Sequence, residues 1–473
     1  MNFLLLRPMV LIMLLFLFSE IKSQDYYHEM DSALTGVQPN EKVKVLIDLT
    51  KQYRNHNASK ALFFARQAIA KGEEISDNRT IADAFKNLGA VYYLSGYYDS
   101  AIVYFEKSLN GYSLIGDSIG IAGNLNNIGV IYLERSSYDT AALFFSQSLA
   151  IKTSLNDSLG CARTLLNLGI IFQEKGDYQQ SHAYLINARE INLKIKNDEG
   201  LMDCLINLGY VYLLVSDFEK ALQSYNLALD LANKLNDRYS GALCLNNIGD
   251  VFFRMGEFSK AEKYITDAFL KREEIGDKSG MITSLINMAK IFEKSANYAR
   301  ANELYIQALK IAGELGESRK EADILAGMSF NLRKQRNFEH ALQFTGQSLE
   351  IAERIGSKSQ ILMNYKDFVF LYSAINAQDS AEKYLEKYHE LKNVLDVSLS
   401  DDNAESGSGM DLARSASKSG GFALKTQAWK GFQHNETLLV VMTTSIVIIS
   451  GLLVFIFLLL AFLSINNRRN RYF

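Results

Sequence analysis

The sequence predicts an all-α repeat solenoid followed by one transmembrane helix, and three observations support this fold class. Small, aromatic and carboxamide side chains recur every 40 residues through most of the chain. Proline occurs only at Pro8 and Pro39, so no proline interrupts a helix beyond residue 40. Residues 437–465 carry no charged side chain and are long enough to cross a bilayer.

The composition is that of a large globular chain. Of its 473 residues, 48% are hydrophobic and 22% are charged, which is enough apolar material for a sizeable core. The net charge of -3 is close to balance, whereas a dedicated nucleic-acid binder needs a basic stripe that displaces phosphate counterions. The composition therefore predicts no nucleic-acid partner.

The N-terminus predicts export. Residues 1–23 combine the basic Arg7, an apolar run from Met9 to Phe18 and the small Ser23, a pattern typical of a cleaved signal peptide. Ten helical residues rise only about 15 Å, half of a hydrocarbon core of roughly 30 Å, so a spanning helix is disfavoured there. An uncleaved anchor would leave the following domain on the same side of the membrane.

Composition predicts the remaining domain boundaries. Residues 24–40 form an N-terminal segment, residues 41–395 hold the repeats, and residues 396–436 are small and polar, as in a flexible linker. The predicted transmembrane helix, 437–465, precedes a basic tail, 466–473, whose arginines favour the cytoplasm. We therefore expect a single-pass protein of the cell (inner) membrane with a periplasmic or extracellular repeat domain. The alternative is a cytosolic repeat domain with a tail anchor, which conflicts with the predicted signal peptide and with the basic tail.

The three cysteines predict no disulfide framework, because their number is small and odd. Cys204 and Cys244 stand one period apart in equivalent segments, and neighbouring helices pack about 8 to 10 Å apart, beyond the usual Cα separation in a disulfide. Buried free thiols are the expectation for these two and for Cys161.

The 40-residue period is carried by three kinds of side chain. A small residue recurs at Ala61, Ala101, Ala141, Ser181, Ala221, Ala261, Ala301, Ala341 and Ala381. Twelve residues earlier, glycine recurs at Gly89, Gly129, Gly169, Gly209 and Gly249. Asparagine recurs at Asn87, Asn127, Asn167, Asn207, Asn247 and Asn287. The glycines and alanines would let two helix backbones approach closely, whereas asparagine is a poor helix former that needs another explanation.

The sequence pattern of each unit predicts two helices. In residues 80–96 the apolar side chains recur at steps of three and four, as on one face of a helix, which we call helix A. Thr80 and Asp83 resemble a capping box at its start, and Gly96 predicts its end. Residues 98–117 repeat the pattern as helix B. The acidic residues between units are predicted to cap the next helix A, at Asp77, Asp117, Asp157, Asp237 and Asp277.

These residues resemble the tetratricopeptide repeat (TPR) family, in which a large residue, Leu-Gly, an aromatic and an alanine follow at fixed steps. The resemblance covers nine units over residues 41–395, with 40 residues per unit instead of 34 and no late proline. In this it is similar to the extended variant of kinesin light chains and G-protein-regulatory scaffolds. The resemblance implies a right-handed superhelix of paired helices with helix A along its concave groove. The ninth unit is weaker and is expected to be a cap.

The resemblance also implies the candidate site. It implies that the side chains of the six asparagines point into the groove, where their donor and acceptor groups could hold a peptide backbone. The alternative is that each asparagine bonds a neighbouring helix and holds repeat to repeat. Six side chains are expected around this ladder, because aromatic residues and arginine are typical interface anchors: Tyr93, Tyr210, Phe253, Arg163, Arg254 and Lys290. The family's clamp for a C-terminal carboxylate is not reproduced, since Ala90 stands where an asparagine is needed.

No pattern in the sequence supports catalysis. The six histidines are scattered, without the spacing of metal ligands, and no glycine-rich loop follows a strand, so we expect neither an enzyme, a metal site nor a cofactor. The leading hypothesis is a membrane-anchored, exported TPR scaffold that binds a protein or peptide in its groove. The order of segments also resembles the sensor half of Bacteroidetes-type histidine kinases. The alternative is therefore a truncated or split sensor that acts through a signalling partner.

Overall fold

The computed structural model describes residues 25–393, and this part of the chain consists of nineteen helices without a strand. They are α1 (25–34), α2 (Pro39–Tyr53), α3 (Ala58–Ile75), α4 (Asn78–Leu94), α5 (Tyr98–Leu114), α6 (Ser118–Glu134), α7 (Tyr138–Ser154), α8 (Ser158–Glu174), α9 (Tyr178–Lys194), α10 (Asp198–Leu214), α11 (Phe218–Leu235), α12 (Arg238–Arg254), α13 (Phe258–Ile275), α14 (Lys278–Lys294), α15 (Tyr298–Leu315), α16 (Ser318–Lys334), α17 (Phe338–Arg354), α18 (Lys358–Ala374) and α19 (378–393). The predicted all-α repeat solenoid is confirmed for these residues.

The predicted signal peptide, linker, transmembrane helix and basic tail lie outside the described residues. Within residues 25–393, no helix is both long enough and apolar enough to cross a bilayer.

From α2 onward each even-numbered helix pairs with the odd-numbered helix that follows it. The even-numbered helices correspond to helix A of the sequence pattern, and the odd-numbered helices from α3 onward correspond to helix B. α1 stands before the first pair, where the sequence pattern predicted only an unassigned segment. Glu29 of α1 accepts a hydrogen bond from Tyr53 Oη at 2.6 Å and pairs with Lys60, which holds α1 against α2 and α3.

Aspartates cap several of the even-numbered helices, and residues with positive φ follow the ends of many helices. The five aspartates expected as caps all accept backbone hydrogen bonds at the first turn of an even-numbered helix, so that prediction is confirmed. The predicted capping box is wrong, because α4 begins at Asn78 with Asp77 as its cap. The Asp83 carboxylate instead binds Lys86 Nζ at 2.8 Å and the Tyr112 hydroxyl. Gly96 (φ 78°) follows the end of α4, where a left-handed backbone favours glycine.

Close contact between the two helices of a pair occurs at the recurring small residues. A Cβ on Gly209 of α10 would lie 2.7 Å from the ring of Tyr225 of α11, and one on Gly129 would lie 3.1 Å from the ring of Phe145. The same holds for Gly89, Gly169 and Gly249, against Phe105, Leu185 and Ile265. Ala101, Ala141, Ala221, Ala261, Ala301 and Ala341 are all 0% exposed. Where serine replaces this alanine, Ser181 Oγ donates to the Gly169 carbonyl at 2.7 Å.

The stack curves toward the even-numbered helices. Successive even-numbered helices touch one another, as α8 touches α10 and α12 touches α14. No two odd-numbered helices of the described part pack together to a comparable extent. Because the even-numbered helices are closer together, they line the concave side of the solenoid.

Cys161, Cys204 and Cys244 are free and buried, as predicted. Burial raises the pKa of Cys204 to about 11 and that of Cys244 to about 12, so both thiols are protonated near neutral pH.

The glycine contacts generate a stability prediction with an internal control. Gly209→Ala should lower the free energy of unfolding by about 1–3 kcal/mol, because the new methyl group meets the buried Tyr225 ring. Gly123→Ala, in α6, meets nothing within 4 Å and should be neutral or stabilising by up to about 1 kcal/mol, since alanine is the better helix former. Thermal melts followed by circular dichroism measure both, and equal effects would contradict the packing described here.

Candidate functional site

One face of each even-numbered helix is left uncovered by the odd-numbered helices, and it looks into the concave side. In α8 this face carries Arg163, Asn167, Ile170 and Glu174, at steps of four, three and four residues, which place them on one side of a helix. Arg163 and Glu174 are exposed and the two residues between them are half-buried. We call the equivalent four positions of α4 to α18 the inner stripe.

The ladder asparagines occupy the second position of the inner stripe. Asn87 is buried, with 7% exposure, and the other five are half-buried. Asn87 Nδ2 donates to the Asp83 carbonyl and Asn207 Nδ2 to the Asp203 carbonyl, both at 2.8 Å and within the same helix.

The carboxamides do not form a continuous chain of hydrogen bonds from repeat to repeat. Asn287 Nδ2 donates to Asn246 Oδ1 at 3.3 Å, and this is the ladder's one bond to a neighbouring even-numbered helix among the described residues. In the same part of the chain, the side chains of Asn127, Asn167 and Asn247 make no hydrogen bond. The carboxamides of these three residues, each with a donor and an acceptor, are therefore free to bind a ligand on the concave face.

A different set of asparagines joins the repeats. Asn124 of α6 is 0% exposed, and its Nδ2 donates to Ser108 Oγ at 2.8 Å. Ser108 Oγ in turn donates to the Ala82 carbonyl at 2.7 Å. The same arrangement recurs where Asn364 Nδ2 donates to Ser348 Oγ at 3.1 Å. The sequence pattern did not single out Asn124, although it falls three residues before Asn127 on the apolar face of the same helix.

Four of the predicted site residues meet in one concave pocket of about 320 Å³: Phe253, Arg254, Asn287 and Lys290. Asp250 and Ile265 complete its lining and were not predicted. Asp250 Oδ2 lies 3.4 Å from Arg254 Nε. Asp250 occupies the same position of the inner stripe as Tyr210 and Lys290. This equivalence could have identified Asp250 from the sequence.

The remaining predicted residues are spread along the solenoid. Tyr210 of α10 is 39% exposed on the inner stripe; burial raises its pKa, and the nearby Glu174 raises it further. Arg163 lies on the neighbouring even-numbered helix, α8, and its charge acts on Asp203 of α10. Tyr93 of α4 stands at the position equivalent to that of Phe253, one residue before the last position of the inner stripe, and its ring packs on Tyr98 of α5 with centroids 6.0 Å apart.

Burial raises the pKa of three acidic residues of the inner stripe, Asp203, Asp323 and Asp367. The pKa of Asp203 is raised by desolvation first and by Asp237 and Glu199 next, while Arg163 opposes the shift. Within residues 25–393, no group of three or more histidine, cysteine, aspartate or glutamate side chains has the geometry of a metal site.

The comparison with known families agrees with this geometry. The tetratricopeptide repeat family model matches residues 80–154, 160–234 and 241–314. These three segments, which together span slightly less than half of the chain, are similar to tetratricopeptide repeats. TPR folds are typically non-catalytic scaffolds for protein interaction. The matched residues run from α4 to α15, and the pairs α2/α3, α16/α17 and α18/α19 continue the same architecture on either side.

Solved structures share the fold at low sequence identity. A Rap protein complexed with Competence and Sporulation Factor has a TM-score of 0.52 and 16% identity, covering 75% of this chain and 98% of that one. The apo form of RapI has a TM-score of 0.50 and 22% identity, covering 58% and 99%. A signal-transduction ATPase with a TPR sensor from Pyrococcus horikoshii has a TM-score of 0.50 and 16% identity, covering 73% and 54%. No curated protein sequence matches the chain.

Asn124, which joins two repeats, and Asn127 of the ladder should respond differently to truncation. Asn124→Ala removes the donor to Ser108 and opens a buried gap, so we expect a loss of about 1–3 kcal/mol in the free energy of unfolding. Asn127→Ala removes no hydrogen bond and improves helix propensity, so it should be neutral or slightly stabilising. Urea titrations of both variants measure this. A destabilisation by Asn127→Ala as large as that by Asn124→Ala would show that the ladder is structural.

Proposed function

We propose that the TPR solenoid binds an extended segment of a partner protein along the inner stripe, as a non-catalytic scaffold. The observation that supports this most is the set of hydrogen-bond-free carboxamides at Asn127, Asn167 and Asn247 on the concave face. A half-buried carboxamide without a partner loses part of its hydration and gains nothing in return, so helix stability does not account for it.

The spacing of the carboxamides suits an extended backbone. Neighbouring helices in contact lie about 8–10 Å apart, and an extended chain advances about 3.3 Å per residue. Each asparagine would therefore meet about every third residue of the bound segment. Because a carboxamide offers both a donor and an acceptor, it can pair with the N–H and the C=O of one residue irrespective of that residue's side chain.

The pocket beside Asn287 would add side-chain recognition to this backbone contact. Phe253 and Ile265 give it an apolar floor, while Arg254 and Lys290 bring positive charge to its edge. A segment held by its backbone over several repeats and by one side chain in this pocket would be selected by sequence as well as by length. The Rap protein with a similar fold is also complexed with a partner, Competence and Sporulation Factor.

The proposal includes a location. A signal peptide over residues 1–23 and a transmembrane helix over 437–465 would export the solenoid and tether it to the cell membrane. Its partner would then be a protein of the same compartment. In the alternative sensor role, the same groove would receive the ligand, and a separate signalling protein would respond.

We expect the triple variant Asn127→Ala, Asn167→Ala, Asn247→Ala to lose partner capture while it keeps its fold. Each lost hydrogen bond is worth about 0.5–1.5 kcal/mol, so capture should fall by about tenfold or more. The readout is chemical crosslinking of the full chain in native membranes, with circular dichroism and melting of the detergent-solubilised chain beside it.

A matched control uses three exposed asparagines of odd-numbered helices, Asn110, Asn187 and Asn226, each changed to alanine. This variant should capture the partner as the wild type does. Equal loss of capture by both triple variants, or a large drop in melting temperature for the ladder variant alone, would contradict the proposal.

The location has its own test. Protease added to intact spheroplasts should digest the repeat domain, because we propose that it lies outside the cytoplasmic membrane. Full protection of the repeats in intact spheroplasts, with digestion only after lysis, would place them on the cytoplasmic side and refute this part of the proposal.

A further inference from the structure

The last residue of six successive even-numbered helices changes its charge along the solenoid. From α6 to α16 these residues are Glu134, Glu174, Leu214, Arg254, Lys294 and Lys334. They occupy the fourth position of the inner stripe and so form a row along one rim of the groove, which we call the rim row. Its charge is negative over α6 and α8 and positive over α12 to α16.

Helix stability explains the positive half of the rim row but not the negative half. The C-terminal end of a helix carries a partial negative charge, so it favours lysine and arginine and disfavours glutamate. Glu134 and Glu174 stand at that end of α6 and α8. Two acidic residues are therefore placed where the local field opposes them.

Ion pairing does not compensate these glutamates. The next residues, Arg135 and Lys175, form salt bridges with Asp99, at 2.6 Å, and with Asp139 of the odd-numbered helices. Neither Glu134 nor Glu174 has a salt-bridge partner in the part of the chain that the structure describes. Cations at the adjacent positions are thus engaged elsewhere, and the two carboxylates remain open to the groove.

The other positions of the inner stripe leave the net charge of both halves unchanged, because each half gains one positive and one negative side chain. Over α8 and α10 they add Arg163 and Asp203, and over α14 and α16 they add Lys290 and Asp323. Together with the rim row, this gives three carboxylates and one guanidinium over α6–α10, but three ammonium groups and one carboxylate over α14–α16. None of these eight side chains forms a salt bridge with another described residue.

Apolar side chains occupy the middle of the groove. Tyr210 and the half-buried Leu214 lie on α10, and Phe253 lies on α12 beside the pocket. From Glu174 to Lys294 there are three helix-to-helix steps of about 8–10 Å, or roughly 24–30 Å. An extended chain covers that distance with about seven to nine residues.

We infer that the ligand is a bipolar protein segment, with basic residues over α6–α10, an apolar centre over α10–α12 and acidic residues over α14–α16. This inference rests on the proposed function of the groove and adds the chemistry and the direction of the bound segment. Carboxamides hold a backbone in either direction, so the charge gradient is what orients the segment.

Synthetic peptides test the inference directly on the detergent-solubilised full chain. One peptide of about sixteen residues carries lysines at one end, an apolar centre and glutamates at the other end. A second has the same composition with lysine and glutamate alternating. The segregated peptide should bind about tenfold more tightly at low salt, since several exposed charge pairs each contribute about 0.2–1 kcal/mol, and the difference should shrink as salt screens them.

Direction is read by a photoreactive group at the acidic end of the segregated peptide. In the wild type it should crosslink to α14–α16. In the variant Glu134→Lys, Glu174→Lys, Lys294→Glu, Lys334→Glu it should crosslink to α6–α8, because the gradient is reversed. This variant should stay folded, since two helix ends gain a favourable charge while two lose one.

The control variant makes the same four charge changes on exposed residues of odd-numbered helices: Glu106→Lys, Glu190→Lys, Lys263→Glu and Lys310→Glu. It should keep the wild-type crosslinking pattern. Equal affinity for the two peptides, or an unchanged crosslinking position after charge reversal, would overturn the bipolar ligand but leave the proposed function standing. Binding of neither peptide also overturns the inference, and the proposed function is then decided by capture of the native partner in the asparagine variants.

Discussion

The close contact between a glycine of one helix and a large side chain of the next sets the geometry on which the rest of the solenoid depends. Gly209 lies under the Tyr225 ring and Gly129 under the Phe145 ring, at distances that leave no room for a Cβ without displacement. In the five pairs from α4/α5 to α12/α13, this contact fixes the odd-numbered helix against one side of its even-numbered partner. The opposite side is left free, and that side becomes the inner stripe.

Because the unit is 40 residues long, each structural role returns to the same position in every unit, and differences between units become informative. The buried alanines scarcely vary. The residue at the end of the odd-numbered helix does vary. There Arg272 donates to the Gly280 carbonyl at 2.6 Å and to Ser284 Oγ at 2.9 Å, and Lys152 donates to Thr164 Oγ1 at 2.8 Å. Such pairs give individual junctions their own hydrogen bonds. Apart from Arg254, which pairs with Asp250 of its own helix, the charged residues of the rim row form no salt bridge within the described residues, so their variation points outward to a ligand.

Periodicity was sufficient to predict the helices, the pairing, the aspartate caps and the buried thiols, since these depend on which residues recur and at what step. It was not sufficient for α1, which belongs to no repeat. Glu29 of α1 binds Tyr53 and Lys60, and these contacts hold the helix in place. The capping box was wrong because Asp77 lay close enough to cap α4 first.

The candidate site was predictable only in part. The inner face of helix A follows from helical geometry, and four predicted residues do share a pocket. Which carboxamides are free depends on side-chain conformation, which separates Asn167 from Asn207 although both hold the same place in the repeat. The packing of Tyr93 on Tyr98 of its own helix pair was not predicted, and Phe253 at the equivalent position packs on Phe258 in the same way.

We propose that the partner lies on the concave face, against the free carboxamides. The most direct measurement places a photocrosslinking amino acid at Ile170, between Asn167 and Glu174 on the inner stripe, and in a second chain at Leu143 of α7, which is 45% exposed on an odd-numbered helix. After irradiation of native membranes, we expect a partner adduct from position 170 and none from position 143. An adduct from position 143 with none from position 170 would contradict this proposal.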